Sequence, residues 1–224
     1  MSDLTETQAS IMLNLQARMN FKVDEQWLER KFPYLRAVVV EAAEAIEHHG
    51  WKWWKKQERD LPQLQMEVID IWHFLLSEIL LRYEGNHVLA LGLLRDVNVA
   101  RSARYVVQFD GHVLEPESMN LLSKLELLIG LSCSGRIDLL LFRSIMQDCG
   151  LDWESLYKQY VSKNVLNMFR QDHGYKEGSY MKLWRGREDN EHLVELMDTL
   201  DASDAAYPEL LYRGLVRRYG ETAT

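Results

Sequence analysis

Glu67, Asp70, His73, Phe74 and Ser77 recur at steps of three and four residues, a spacing that stacks them on one stripe of a helix. The rest of that helix, expected over 61–82, is apolar almost all round: Met66, Val68, Ile69, Ile71, Trp72, Leu75, Leu76, Ile79 and Leu80. Such a helix is buried, and an unpaired carboxylate buried with it costs several kcal/mol. The preceding helix, expected over 35–49, carries a second acidic pair, Glu41 and Glu44, beside an apolar arc of Val38, Val39, Ala42, Ala43 and Ile46. Helices joined by a short connection usually pack antiparallel, so the two pairs face each other. Four carboxylates in one pocket repel unless a divalent cation neutralises them. Their hard oxygen donors suit Mg²⁺, which keeps waters and accepts phosphate oxygens from a substrate. The competing reading puts Glu41 and Glu44 on a solvated face and pairs Glu67 and Asp70 with Lys or Arg from elsewhere. The same pattern on two consecutive helices favours the metal.

A complementary stripe lies further along the chain. Lys163, Asn167 and Arg170 share a helix face, flanked by Asn164 and Gln171, and Tyr175, Lys176, Lys182, Arg185 and Arg187 follow in a loop. Guanidinium forks and ammonium groups suit phosphate oxygens, and amides add neutral hydrogen bonds. Trp51, Trp53 and Trp54 follow the first acidic helix, and Phe74 follows His73 on the second. Aromatic faces beside a phosphate-and-metal site offer a slot for a base. Gln16 and Asn20, four apart near the start, present amides that could read a base edge. Together these residues describe a site for a metal-bound nucleotide polyphosphate.

The elements that must position them read as helices. Thr5-x-x-Gln8 is a capping box opening a helix to about residue 21. A short helix over 25–32 stops before Pro33, and Asp60-x-x-Gln63 with Pro62 opens the long acidic helix. Further helices are expected over 117–132, 137–149 and 153–173, the last capped by Asp152 and ended by Gly174. Between 84 and 115 a small irregular insert is expected, with a hairpin closed by Asp110-Gly111. A glycine-punctuated loop over 175–190 precedes one or two final helices. The fold class is all-α, a helical bundle forming one domain over 1–224.

The 224 residues, 47% hydrophobic with only four prolines, can bury a full core and do not have a disordered composition. A net charge of −8 argues against a general nucleic-acid or anionic-membrane binder. Cys133 and Cys149 are too few for a disulfide framework. No basic segment followed by an apolar run opens the chain, and no apolar stretch approaches a membrane span. A soluble, cytoplasmic protein is expected.

Three blocks carry a family resemblance: Glu41-Ala42-Ala43-Glu44 before Trp51-Lys52-Trp53-Trp54-Lys55, then Glu67-Val68-Ile69-Asp70-Ile71-Trp72-His73-Phe74, and above all 163–178 with 184–190. They resemble the dimeric all-α dUTP pyrophosphatases and their phage dCTPase–dUTPase relatives, within the helical nucleoside-triphosphate pyrophosphohydrolases. The resemblance spans roughly 10–82 and 155–195; 84–150 matches by no motif. It implies Mg²⁺ ligation by Glu41, Glu44, Glu67 and Asp70, with Glu41 as general base toward the attacking water. It implies a uracil pocket of Gln16, Asn20, Trp53, His73 and Phe74. Phosphate and sugar contacts fall on Lys163, Asn164, Asn167, Arg170, Tyr175, Lys176 and Asn190. The implied enzyme is a homodimer that hydrolyses dUTP to dUMP and pyrophosphate, with dUDP as a second substrate. Three alternatives stay open: preference for dCTP or another nucleotide, a di-iron carboxylate bundle suggested by Asp70-x-x-His73, and a purely structural helical adaptor.

Overall fold

The computed structural model describes residues 3–99 and 105–220, and ten helices make up most of those residues. They are α1 (Glu6–Val23), α2 (Trp27–Arg30), α3 (Tyr34–His49), α4 (Leu61–Arg82), α5 (His87–Val99), α6 (Leu121–Cys133), α7 (Leu139–Asp148), α8 (Trp153–Asp172), α9 (Asp189–Thr199) and α10 (Tyr207–Gly220). Two small antiparallel hairpins, β1 (Val107–Phe109) with β2 (His112–Leu114) and β3 (Leu183–Trp184) with β4 (Arg187–Glu188), and a short 3-10 turn at Pro116–Ser118 accompany them. The protein is an all-α bundle, as its helical patterning requires. No described helix is long and apolar enough to cross a membrane.

Helix starts follow the capping chemistry in the sequence. Thr5 and Gln8 form a reciprocal capping box on α1, as do Asp152 and Ser155 on α8. Asp60 caps α4 by accepting from the Gln63 amide, with Pro62 in the first turn. The α3–α4 connection is held shut from inside. The Gln57 side chain accepts from the amides of Trp51 and Lys52 at 3.1 and 2.7 Å, and the Asp60 amide donates to the His48 carbonyl at 2.9 Å. Gly50 makes the turn at φ +84°, where a side chain would be strained and would press on Gln57.

The segment 84–115 is more regular than its sequence suggests. The Asp110-Gly111 hairpin is present, both turn residues at positive φ as a type I′ turn demands. Before it, however, the chain is the helix α5, started by the Asn86 side chain accepting from the amides of Val88 and Leu89. Ala90, Leu94 and Val97 of α5 are buried, and the helix packs on α1 and α7, so this stretch belongs to the core. Residues 100–104 of the expected insert, and positions 1–2 and 221–224 of the expected domain, lie outside the described residues.

Helix α4 is the central element. It packs closely on α3 and also on α1, α7 and α8. Its Trp72 is fully buried, stacked on Phe142 of α7 at 4.8 Å and beside Trp153 of α8 at 5.3 Å. Met66 departs from the expected all-round burial and is exposed. A second aromatic cluster, Phe169, Tyr180, Trp184 and Tyr219, ties the β3–β4 hairpin and α10 to the end of α8.

Candidate active site

Closing the α3–α4 connection brings the two acidic stripes together. Glu41, Glu67 and Asp70 each offer a carboxylate oxygen, and these atoms all lie within 4.8 Å of one another. Glu67 is buried, while Glu41 and Asp70 are half-buried. Burial, the nearby Asp70 charge and a hydrogen bond to Glu67 push the Glu41 carboxyl up to about 7. Burial and Asp70 raise Glu67, with Glu41 hydrogen-bonding to it in opposition. Burial also raises Asp70, although Lys163 works against that shift. Glu44 is exposed and outside the close triple, yet its charge acts on all three carboxylates, which places it at the rim.

Two basic side chains from outside the triple touch this centre. Lys163 of α8 forms an ion pair with Asp70, and the His48 Nε2 lies 3.4 Å from the Glu67 Oε1. The pairing that the competing sequence reading required therefore exists for Asp70, but it does not bring that carboxyl down to its ordinary value. His48 was absent from the expected site, although Glu41, Glu44 and His48 follow at steps of three and four.

Asp70 also lines a cavity of about 280 Å³, shared with Gln16, Asn20, His73, Phe74 and Asn167. Its floor is a continuous hydrogen-bond network. Gln16 donates through Nε2 to Asn20 Oδ1 at 3.0 Å and to Ser77 Oγ at 2.8 Å. Its Oε1 accepts from the Tyr160 hydroxyl at 2.8 Å and meets His73 Nδ1 at 2.9 Å. The Tyr160 ring lies against the His73 ring, centroids 4.2 Å apart. Burial, with a smaller contribution from Lys163, lowers the His73 pKa to about 3, so the imidazole is neutral. A neutral imidazole whose Nδ1 donates to Gln16 carries a lone pair on Nε2. That Nε2 and the Asn20 Nδ2 are buried and have no protein partner. Tyr160 and Ser77 were not among the expected site residues; Ser77 shares the acidic stripe, whereas Tyr160 reads in the sequence as one more core aromatic.

The structure gathers only part of the remaining set. Asn167 reaches the cavity and Lys163 reaches Asp70. Asn164 is fully buried, its Nδ2 donating to the Tyr160 hydroxyl at 3.5 Å, so it belongs beneath the pocket rather than beside Lys163 on an open face. Arg170 grips Asp189 with two hydrogen bonds of 2.8 and 2.9 Å, and reaches Asn190 Oδ1 at 3.3 Å. The Tyr180 hydroxyl joins Asp189 at 2.7 Å. Tyr175 and Lys176 are exposed, and Lys176 lines a separate depression with Lys22 and Gln171. Trp53 is 85% exposed, its ring set edge-on to Trp54 at 4.6 Å, and it does not line the cavity. His73 does not join the carboxylate triple, so Asp70-x-x-His73 makes no close ligand pair here.

The site is therefore a carboxylate centre opening, through Asp70, onto a pocket with an amide-and-imidazole floor. Among families of known proteins, the profile for dUTPase matches residues 8–175 of the chain. Among curated individual proteins nothing matches it. The match spans α1 through α8 and includes both the carboxylate triple and the pocket floor, and from it the chain belongs to the dUTPase family, the enzymes that hydrolyse dUTP.

Proposed function

We propose that this dUTPase works with Mg²⁺ to hydrolyse dUTP to dUMP and pyrophosphate, and dUDP to dUMP and phosphate. The observation that carries the reading is the double membership of Asp70, a member of the carboxylate triple and a wall of the base-sized cavity. Three hard oxygen donors within 4.8 Å, all raised above their ordinary acidity, are the donor set a small divalent cation would relieve. Glu41, Glu67 and Asp70 would hold it, with Glu44 at the rim. Bound there, Mg²⁺ supplies charge neutralisation on the phosphates and acidifies a coordinated water.

The chain's own groups account for the rest. Glu41, pushed up to about 7, is suited to accept the proton of an attacking water at neutral pH. Oxygen from that water forms a bond to phosphorus as a bridging P–O bond breaks, and the departing bridging oxygen carries off the electron pair. Lys163, paired with Asp70, is suited to meet a phosphate oxygen. In the cavity the Phe74 side chain lines one wall, His73 Nε2 accepts from uracil N3–H, and Asn20 Nδ2 donates to a flanking carbonyl. Cytosine has a bare N3 at that position and would set lone pair against lone pair. Arg170, Tyr175, Lys176 and Asn190 are at the far end of α8 and beyond it; a role on the phosphates requires the β3–β4 segment to fold over the substrate. The same reading makes the enzyme a single-domain homodimer of the cytoplasm.

Release of phosphate or pyrophosphate across the deoxynucleoside triphosphates, with and without Mg²⁺, tests this. The expected result is turnover of dUTP ahead of dCTP, lost on chelation. Turnover that survives chelation would remove the metal from the proposal, and a purine preference would remove the pocket.

A further inference from the structure

The pocket floor contains more polar groups than base recognition needs, and they are connected. Behind Gln16 lies Tyr160, and behind Tyr160 lies Asn164, fully buried, with its Oδ1 unpartnered. An amide rotated by half a turn keeps its shape but exchanges donor for acceptor. The chain Asn164–Tyr160–Gln16–Asn20/His73 can accordingly be polarised in two senses. In the sense observed, Asn164 donates to Tyr160, Tyr160 donates to Gln16 Oε1, and Gln16 Nε2 donates to Asn20 Oδ1. The atoms left without a partner are then an acceptor on His73 and a donor on Asn20, complementary to uracil. Reversed, Tyr160 donates to Asn164 Oδ1 or to the Met12 carbonyl, which lies 3.1 Å away, and Gln16 turns its Nε2 to Tyr160 and His73. The unpartnered atoms become a His73 Nε2–H and an Asn20 carbonyl, complementary to cytosine.

We propose that Tyr160 is the positioning residue that sets pyrimidine specificity: its hydroxyl, donated to Gln16 Oε1, holds the Gln16 amide in one sense and thereby fixes the His73 tautomer presented to the base. The proposal rests on the function proposed above and adds to it the residue that decides between two bases. Tyr160 does not line the cavity; it acts through Gln16. The Met12 carbonyl is already within reach of a helical amide of α1, so the Tyr160 proton does more for stability on Gln16 Oε1, which has only His73 otherwise.

The test is Tyr160→Phe, which removes one oxygen and keeps the ring against His73. Values of kcat/KM for dUTP and dCTP are compared in wild type and variant, with ¹⁵N-histidine spectra reporting which His73 nitrogen bears the proton. The expected result is a fall of about tenfold or more in the dUTP-to-dCTP ratio, carried by KM rather than kcat. With it, the wild-type signal of a proton-free Nε2 gives way to a mixture of tautomers. An unchanged ratio with an unchanged tautomer overturns the inference and leaves the proposed function standing. A wild-type enzyme that splits neither pyrimidine nucleotide overturns the function itself. Should the variant not fold, the wild-type spectrum decides: a proton on His73 Nε2 in the free enzyme overturns the inference, and a proton-free Nε2 supports it.

Discussion

Two carboxylate sites meet α8, the triple at Lys163 near its middle and Asp189 at Arg170 in its last turn, and they are treated in opposite ways. Glu41, Glu67 and Asp70 are crowded together and raised above their ordinary acidity. Asp189 has no exposed surface at all, yet its carboxyl is lowered. Burial works against the charged form in both places. At Asp189 the Arg170 fork and the Tyr180 hydroxyl outweigh it, whereas at the triple the Lys163 ammonium is paired with Asp70 and acts on Glu67 only through its charge. A carboxylate with its cation built in is a structural tie. One left short of a cation fits the metal-binding role proposed above.

Substitution of Glu41 should separate the two regions most sharply. Glu41→Gln is expected to lower kcat by about 1,000-fold while raising the thermal midpoint of the metal-free protein at pH 8, because it removes a repelled charge. Loss of activity together with loss of stability would mean that Glu41 is a tie like Asp189. Asp189→Asn should show the reverse balance, costing about 3 kcal/mol of stability by leaving Arg170 buried without its charge partner. Urea unfolding reads this, and an unaltered midpoint would show that the Arg170–Asp189 pair is not a structural tie.

Acidity offers a third comparison. A carboxyl whose folded pKa lies above its unfolded value keeps its proton more tightly in the native state, so stability falls as pH rises through the window between them. For Glu41 that window runs from its ordinary 4.5 to about 7. The metal-free protein should therefore lose thermal stability across it, and saturating Mg²⁺ should remove the slope and release protons on binding. A calorimetric titration at pH 6 in two buffers of different ionisation enthalpy measures the release; a buffer-independent heat would contradict it. The smallest effect is expected at Trp53. Trp53→Ala should change kcat/KM for dUTP by less than about threefold, because an exposed ring outside the cavity loses little on truncation. A tenfold rise in KM would show that the tryptophan loop closes over the base.

The acidic centre was legible because it is local. Glu41 and Glu44, and Glu67 and Asp70, lie one turn apart on consecutive helices joined by a closed connection, so helical periodicity alone aligns them. Gln16 with Asn20, and His73 with Phe74, were legible for the same reason. The cationic stripe was only half legible. The shared face of Lys163, Asn167 and Arg170 was plain, but the partner that occupies Arg170, Asp189, is the first residue of α9, just after the β3–β4 hairpin. Helix α5 was hidden by its glycine and valines, although Asn86 in front of it has the chemistry of a cap.

By itself the sequence determined the helices, the two acidic stripes and the amides near the start, since each depends on residues within a few turns of one another. Only the tertiary structure decided which of these groups meet. It placed Asp70 in both the carboxylate centre and the cavity, left Trp53 outside, and put Tyr160 and Asn164 behind Gln16. Contacts between α1, α4 and α8 join residues more than fifty positions apart. Their pairing is set by how the buried faces of three helices fit together, which no spacing along one chain segment can express.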